Sequence, residues 1–461
     1  RPHPQPPGEV RLTGQRYYHG RFVHGGRGPL AHPQAAAGRC KADQLQPFYF
    51  ANVPGYPAGR KQNNYFANIA YTRTFTNALL NEFRVTAQRN NSQQDIPGSK
   101  LPVAADLGIG ITPDLPSGPP LLSFQSGMNI GFGYSGPTFL INNTFAYSDT
   151  LSWVKGKHTL KFGGGFTPYQ NNTVYDYIGD GWSDFYSGKG TNGSGSDLAD
   201  FLLGIPGDFF QYPNAPSNIR SKNTYFFGQD EWHVGRRLVL TYGLRYEYST
   251  PKLDTAGRSF SVIPGLQSTR FTNAPLGLVF PGDKGAPRGA NFPDKNDFAP
   301  RFGFALDPSG NGKWSIRGGI GMFYDILKGE DNLQFNGQPP FFSAVGLYFD
   351  PPGGAVSCPN GAGTSGTGFM CDPFGSTGAV NPFPSTPPSQ DLDFSAAGFL
   401  PINGGGSVYL VDPHIRTPYT YQYNLGVQHE LSRGTLLEIA YVGSSSHKLT
   451  ALQDLNPMDP T

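Results

Sequence analysis

The stretch LVLTYGLRYEYSTP, at residues 238–251, alternates apolar and polar side chains with a period of two. Every second position is apolar or aromatic, at Leu238, Leu240, Tyr242, Leu244, Tyr246 and Tyr248. The intervening positions include Thr241, Gly243, Arg245 and Glu247. Because successive side chains of a strand point to opposite faces, this pattern predicts a β-strand with one apolar and one polar face.

The same alternation recurs along the chain in pairs of segments that a short turn connects. We predict hairpins at 65–71 with 82–88, 145–153 with 160–166, 225–232 with 238–248, 301–306 with 314–325, and 419–430 with 437–441. Turn-forming residues separate the two members of each pair, as at 155–157, 308–312 and 432–434. Alternating segments joined by such turns are typical of antiparallel strands.

The connections between the pairs are long, at residues 91–138, 168–222, 249–299 and 325–418. Short turns at one end and long loops at the other are typical of outer-membrane barrels, whereas a soluble sandwich has short turns at both ends. The sequence therefore predicts an all-β fold, an incomplete antiparallel transmembrane β-barrel over residues 47–461. We expect the long connections to be extracellular and mobile, with parts that extend the strands.

Composition excludes several other classes of protein. Charged residues make up 15% of the chain and aromatic residues 14%, with 62 glycines and 43 prolines, which favours strands and turns over helices. A net charge of +2 without clustered Lys and Arg argues against a nucleic-acid partner. No apolar run reaches the length of a membrane helix, but membrane strands need only about 10 alternating residues.

The polar face of the strands carries the candidate functional residues. They are the charged side chains Glu82, Arg84, Arg245, Glu247, Arg301, Arg317 and Glu438. In a barrel, the apolar face contacts outer-membrane lipid and the polar face lines the lumen, so these residues would contact a plug or a ligand. The alternative is that they neutralise one another across neighbouring strands.

No constellation in the sequence indicates an enzyme, a cofactor site or a metal centre. Asp180 and Asp184 flank Gly181 and Trp182 and could bind a cation, although a plain acidic turn explains them better. Cys358 and Cys371 lie in one loop and could form a disulfide in an oxidising compartment, but two unpaired thiols fit equally well.

Residues 1–46 differ from the rest of the chain. They contain four of the nine histidines and almost no alternation. A histidine-rich metal-binding tract is one interpretation, but a disordered linker or a misread reading frame explains the segment better. We expect this segment to be disordered or unreliable.

Several segments resemble TonB-dependent transporters of the Oar-like group, outer-membrane receptors often found with a carboxypeptidase-regulatory-like domain. The matching segments are LLNEFRV (79–85), KGKHTLKFGG (155–164), DLADFLLGIPGDF (197–209), FFGQDEWHV (226–234), LVLTYGLRYEYSTP (238–251), FAPRFGFALDPSGNGKWSIRGGIGMFYD (298–325) and YQYNLGVQHELSRGTLLEIAYVGSS (421–445). Their order and spacing carry the resemblance over most of the chain from about Asn64 onward.

The resemblance implies a barrel of about 22 strands around a plug, in the outer membrane of a Gram-negative bacterium. Active uptake of an oligosaccharide, peptide or metal chelate would be driven by the TonB complex, which acts through a plug region. No plug or TonB box is recognisable here, so we interpret the chain as a barrel fragment and expect an open sheet. The alternatives are an adhesive or structural surface barrel, a passive porin, or a secreted carbohydrate-binding sandwich.

Overall fold

A computed structural model describes residues 31–46, 51–95, 101–131, 137–186, 194–289, 291–325, 339–342, 344–348, 370–394 and 410–451. The strands, numbered in chain order, are β1 (Ala31–Gln46), β2 (Ala58–Thr76), β3 (Leu79–Asp95), β4 (Leu121–Phe124), β5 (Asn129–Ile130), β6 (Thr138–Lys155), β7 (His158–Tyr175), β8 (Trp182–Phe185), β9 (Asp208–Gln211), β10 (Ser217–His233), β11 (Leu238–Ser249), β12 (Leu253–Asp254), β13 (Ser261–Val262), β14 (Leu278–Val279), β15 (Asp297–Leu306), β16 (Trp314–Tyr324), β17 (Val345–Tyr348), β18 (Tyr419–Ser432) and β19 (Thr435–His447). The helices are a 3₁₀ turn (Ala104–Leu107), α1 (Asp197–Leu203) and α2 (Pro373–Thr377). None of these described helices is long and apolar enough to cross a membrane.

One large antiparallel sheet contains all ten strands of the predicted hairpins. Its order is β1-β2-β3-β6-β7-β10-β11-β15-β16-β18-β19, so long strands pair with their neighbours in the chain. Within the described residues, β1 and β19 each have a hydrogen-bonded neighbour on one side only, so the sheet is open. The predicted all-β fold of an incomplete barrel is thus confirmed.

The structure differs from the sequence expectation at the beginning of the chain. Residues 31–46, expected to be disordered, form strand β1, which pairs with β2 from Ala31↔Arg73 to Gln46↔Ala58. The hydrogen bonds of a strand come from its backbone, so pairing with β2 does not require alternating side chains. Residues 1–30 of the same expected segment lie outside the described residues.

The two faces of the large sheet differ as the alternation predicts. On the face of Leu244, large apolar side chains are exposed and do not pack into a core, as at Leu244 (49% exposed), Phe302 (47%) and Ile320 (51%). Tyr242 on the same face is also 44% exposed. An exposed apolar surface of this extent requires a nonaqueous neighbour, and we call it the lipid face.

The described parts of the long connections contain short strands and buried clusters, while residues 187–193 and 351–367 lie outside the described residues, so the expected mobility of the loops stays a prediction. Strands β17-β9-β8-β4-β5 form a second sheet. One buried cluster consists of Ala104, Ile111, Phe209, Leu347, Phe374 and Phe383. A second consists of Phe260, Phe271, Ala274, Leu278, Phe280 and Phe394. We call this second sheet and the two clusters the loop cap.

The cysteines of the predicted disulfide lie in the connection at residues 325–418 of the sequence. Cys371 is buried at 5% exposure, and Cys358 lies outside the described residues, so their pairing stays a prediction. Cys40, in β1, is a free thiol.

Candidate functional site

The strand register brings the seven candidate charges to one face of the large sheet. Arg245 of β11 pairs with Phe227 of β10, which pairs with Gly163 of β7. Gly163 pairs with Thr150 of β6, and Thr150 pairs with Glu82 of β3, the fourth strand from β11. Directly paired residues of antiparallel strands share a face, so Glu82 and Arg245 project to the same side. We call this side the polar face.

The strand register shows that the remaining candidate charges also lie on the polar face. Arg84 and Glu247 each lie two positions along a strand from Glu82 and Arg245. The other connecting pairs are Gly243↔Arg301, Ala305↔Arg317, Ser315↔Gln428 and Gln428↔Glu438. Residues more than 350 positions apart in the sequence therefore line one surface, from Glu82 in β3 to Glu438 in β19.

The ion pairs on this face form along the strands. Arg84 Nη2 lies 2.8 Å from Glu82 Oε1, with both side chains close to half exposed. Arg245 Nε contacts Glu247 Oε1, and both of these side chains are less exposed. Each pair joins residues two positions apart on one strand, whereas the sequence suggested partners on neighbouring strands. A pair of this kind leaves the rest of each charged group available to a partner above the sheet.

Aromatic rings hold two of the arginines close to the sheet. The Arg245 Cζ atom lies 3.7 Å from the centre of the Tyr225 ring, and Arg301 Cζ lies 4.3 Å from that of Phe323. Such cation–π contacts contribute about 0.5–2 kcal/mol, depending on solvation. The arginines are therefore ordered before any ligand arrives, which lowers the entropic cost of binding.

Glycines of β7 lie beneath the rings of Tyr225 and Phe227 in β10 and allow these rings to lie flat on the sheet. A Cβ atom at Gly165 would come within 2.6 Å of the Tyr225 ring, and one at Gly163 within 2.6 Å of the Phe227 ring. The polar face thus combines a glycine floor, flat aromatic rings and arginines. Sequence reasoning missed Tyr225, Phe227 and Phe323, although three adjacent glycines inside a strand indicate a close approach of this kind.

Replacing Gly165 with valine is expected to destabilise the folded barrel by about 1–3 kcal/mol, because the new side chain collides with Tyr225. In denaturing gels of samples heated to increasing temperatures, the folded band of the variant should convert to the unfolded band at a lower temperature than that of the wild type. Gly235→Val is the matched control, since a Cβ at Gly235 meets nothing within 4 Å. Equal melting of the two variants would contradict the close packing of Tyr225 on the glycine floor.

Asp230 is an acidic side chain on the lipid face, near the short turns. Asp230 is paired with Tyr242 and is only 7% exposed. Its Oδ2 atom accepts a hydrogen bond from the Tyr242 hydroxyl at 2.7 Å and lies 2.7 Å from His158 Nδ1. A carboxylate bordering lipid is tolerable when neighbours satisfy it in this way. The His158 ring in turn stacks on Trp232 at 5.6 Å.

Comparisons with known proteins agree with this architecture. A family model described as an outer membrane beta barrel domain matches residues 36–461. A search of curated proteins finds no match. The solved structure of the outer membrane transporter YddB from Escherichia coli aligns with a TM-score of 0.48 and 10% identity, covering 91% of this chain and 38% of YddB.

Two further solved structures align over similar lengths. The RagAB peptide transporter gives a TM-score of 0.41 at 10% identity, covering 93% of this chain and 39% of its own. The ferric yersiniabactin uptake receptor FyuA from Yersinia pestis gives 0.39 at 8% identity, covering 90% and 43%. This chain spans about two fifths of the length of these structures.

The family match extends from β1 through the last described strand, so it includes the polar face, the lipid face and the loop cap. The predicted location is confirmed: this is a protein of the outer membrane of a Gram-negative bacterium. The chain belongs to the outer membrane beta barrel domain family.

Proposed function

We propose that this chain is the barrel portion of a TonB-dependent transporter that takes up a large or scarce substrate. The observation that carries the proposal is the polar face, where ordered arginines, flat aromatic rings and glycines lie opposite a continuous lipid face. The motif resemblance over most of the chain supports it. The proposal assigns no catalytic step to any residue.

In this proposal the polar face lines the lumen and contacts a plug supplied by a further part of the protein. Arg245 and Arg301 offer planar guanidinium groups that can form two parallel hydrogen bonds with a carboxylate. The rings of Tyr225 and Phe323 offer flat apolar surface beside them. Such mixed surfaces suit oligosaccharides, peptides and metal chelates, the substrate classes we expect.

The open edges of the sheet fit a larger barrel. In the described residues β1 and β19 leave backbone N–H and C=O groups without a strand partner on one side. In hydrocarbon these groups must be paired, so closure requires further strands. We propose that additional strands of the same protein complete the barrel between β19 and β1.

Replacing Arg245 with leucine is expected to reduce substrate uptake about tenfold or more, because truncating an arginine at a binding hot spot costs about 2 kcal/mol. Barrel stability should fall by only about 0.5–2 kcal/mol, since the substitution removes the contact with the Tyr225 ring and the Arg245–Glu247 pair is partly solvated. Arg433→Leu, in the turn between β18 and β19, is the control and should leave both properties unchanged. Equal loss of uptake and heat stability in R245L would refute a role for Arg245 in transport.

A second function, binding of surfaces or other cells, is favoured by the loop cap. Two aromatic clusters and a five-stranded sheet make this region a structured surface, as expected of a binding site. Uptake measurements in cells with and without TonB distinguish the two functions. Accumulation that depends on TonB supports the transporter, whereas adhesion that is independent of TonB, without accumulation, supports the surface barrel.

A further inference from the structure

A fully buried carboxylate, that of Asp176, lies in the loop that follows β7. Asp176 is 0% exposed, and in the described part of the chain neither of its side-chain oxygens accepts a hydrogen bond. A buried carboxylate normally accepts hydrogen bonds or pairs with a cation, because its desolvation is costly. Asp176 therefore requires a chemical explanation.

The strand register and the contacts of Gly179 bring two amide side chains, those of Asn214 and Gln211, towards Asp176. The backbone N–H of Ala215 donates to Tyr175 O at 3.2 Å and so continues the β7–β10 pairing beyond Thr173↔Ser217. The next such bond, from Tyr212 N–H to Ile178 O at 3.3 Å, fits the same register, and from this register we infer that Asp176 lies opposite Asn214. In the described part of the protein, the Oδ1 atom of Asn214 is buried and accepts no hydrogen bond.

Gln211 approaches Asp176 from the end of β9. Its side chain is 0% exposed, and its Nε2 donates to Gly179 O at 3.3 Å. Asp176 packs against the same glycine, since a Cβ at Gly179 would lie 1.8 Å from Asp176 Oδ1. Among the described residues, Gln211 Oε1 has no hydrogen-bond donor either. The Asp176 carboxylate and the Gln211 amide thus meet at Gly179, a buried point of the loop, and the strand register places Asn214 across from Asp176.

Two further carboxylates add negative charge around this point. Asp180 accepts hydrogen bonds from the backbone N–H and hydroxyl of Ser117, and Asp114 accepts from the backbone N–H groups of Asn214 and Ser385. Both of these carboxylates repel a negative charge on Asp176. The site therefore disfavours an unaccompanied negative charge and would be stabilised by a cation.

We propose that Asp176, Asn214 and Gln211 bind a calcium ion in the loop cap. Calcium accepts carboxylate, amide and water oxygens in irregular geometry, whereas magnesium requires a nearly regular octahedron. Among the described residues, no group of three or more His, Cys, Asp or Glu side chains could hold a metal ion. The proposed site differs from such a group because it combines one carboxylate with two amide oxygens. The sequence analysis favoured a plain acidic turn over a cation site at Asp180 and Asp184, and the proposed site lies instead at Asp176.

The ion would join the end of β7 to the segment that leads from β9 into β10. Asp176 is 35 residues from Gln211 and 38 residues from Asn214 in the sequence, so the ion would join the two ends of one long connection. Bound calcium would therefore hold the loop closed at its base, independently of which substrate the barrel carries.

Calcium titration of the full-length protein in detergent tests the site. At about pH 8 we expect one ion to bind with a Kd on the order of 10⁻⁴ to 10⁻³ M, as in extracellular calcium modules. Asp176→Asn should weaken binding at least tenfold. Asp197→Asn, which removes a carboxylate elsewhere in the same loop, should bind as the wild type does.

Proteolysis of the loop provides a second readout, in which the Asp176→Asn variant should be more resistant than the calcium-free wild type although it binds calcium less well. Without calcium, the wild type should be cleaved faster than Asp176→Asn, because the variant lacks the unpaired buried charge. Calcium should protect the wild type and leave the variant unchanged. A wild type that binds no calcium, or an Asp176→Asn protein that binds it equally well, would overturn the proposal.

Discussion

Replacing Leu244 with arginine is expected to prevent most of the protein from assembling in the outer membrane. Leu244 lies in the middle of the six apolar positions of β11 and is 49% exposed on the lipid face. An arginine facing the bilayer midplane destabilises a membrane barrel by about 2–4 kcal/mol. The amount of folded, heat-modifiable protein in purified outer membranes is the measurement.

Thr241→Arg is the matched control for that substitution. It places the same side chain on the same strand, but on the polar face, where Thr241 is paired with Glu231. We expect nearly normal assembly, because the new charge meets water and an opposite charge. Similar losses in both variants would contradict the assignment of the two faces.

Replacing Asp283 with alanine is expected to unfold the connection between β11 and β15 locally. Asp283 is 5% exposed and accepts hydrogen bonds from Thr269 N, Thr269 Oγ1, Arg270 N and Phe280 N at 2.8 to 2.9 Å. Each buried donor left without an acceptor costs about 1–3 kcal/mol, so the total exceeds about 3 kcal/mol. Hydrogen exchange over 250–296 should increase strongly while barrel melting is unchanged.

The same carboxylate makes this connection sensitive to acid. Burial opposes its ionisation, but hydrogen bonds from Phe280, Ser268, Arg270 and Thr269 outweigh that effect and lower the pKa to about 2. The folded connection thus holds its proton less tightly than the unfolded chain. Its stabilisation is present above about pH 4 and is lost as the pH falls towards 2.

Lys284→Ala is the control for Asp283→Ala. Lys284 is the exposed neighbour of Asp283, and its removal should leave hydrogen exchange of the connection as in the wild type. If Asp283→Ala exchanged no faster than this control, the carboxylate would not be the anchor of the connection.

Strand positions were predictable because a membrane strand leaves its pattern in every second residue. The alternation around Arg245 located β11 and the polar face, and the register confirms that Arg245, Arg301 and Glu82 project to one side. The aromatic partners of the arginines were not predictable in the same way. Tyr225 touches Arg245 only because β10 and β11 pair in one register of several that the alternation allows.

The loop cap could not be predicted from sequence periodicity, for a different reason. Its strands are two to four residues long, and its clusters join residues as distant as Ala104 and Phe383. Short segments carry no measurable period, and contacts between distant segments depend on where the barrel strands place the loop ends. For the same reason, the sequence alone does not distinguish Asp176 from other loop aspartates, because its position relative to Asn214 and Gln211 depends on the fold.

The amino-acid order alone specified which residues enter strands, which faces meet lipid or water, and that the chain is an outer-membrane barrel. These properties follow from a local rule, the twofold alternation of side chains in a strand that separates lipid from water. Folding in three dimensions specified the stacked arginines, strand β1, the loop cap and the buried Asp176. Each of these depends on the pairing of distant segments, which no local period encodes.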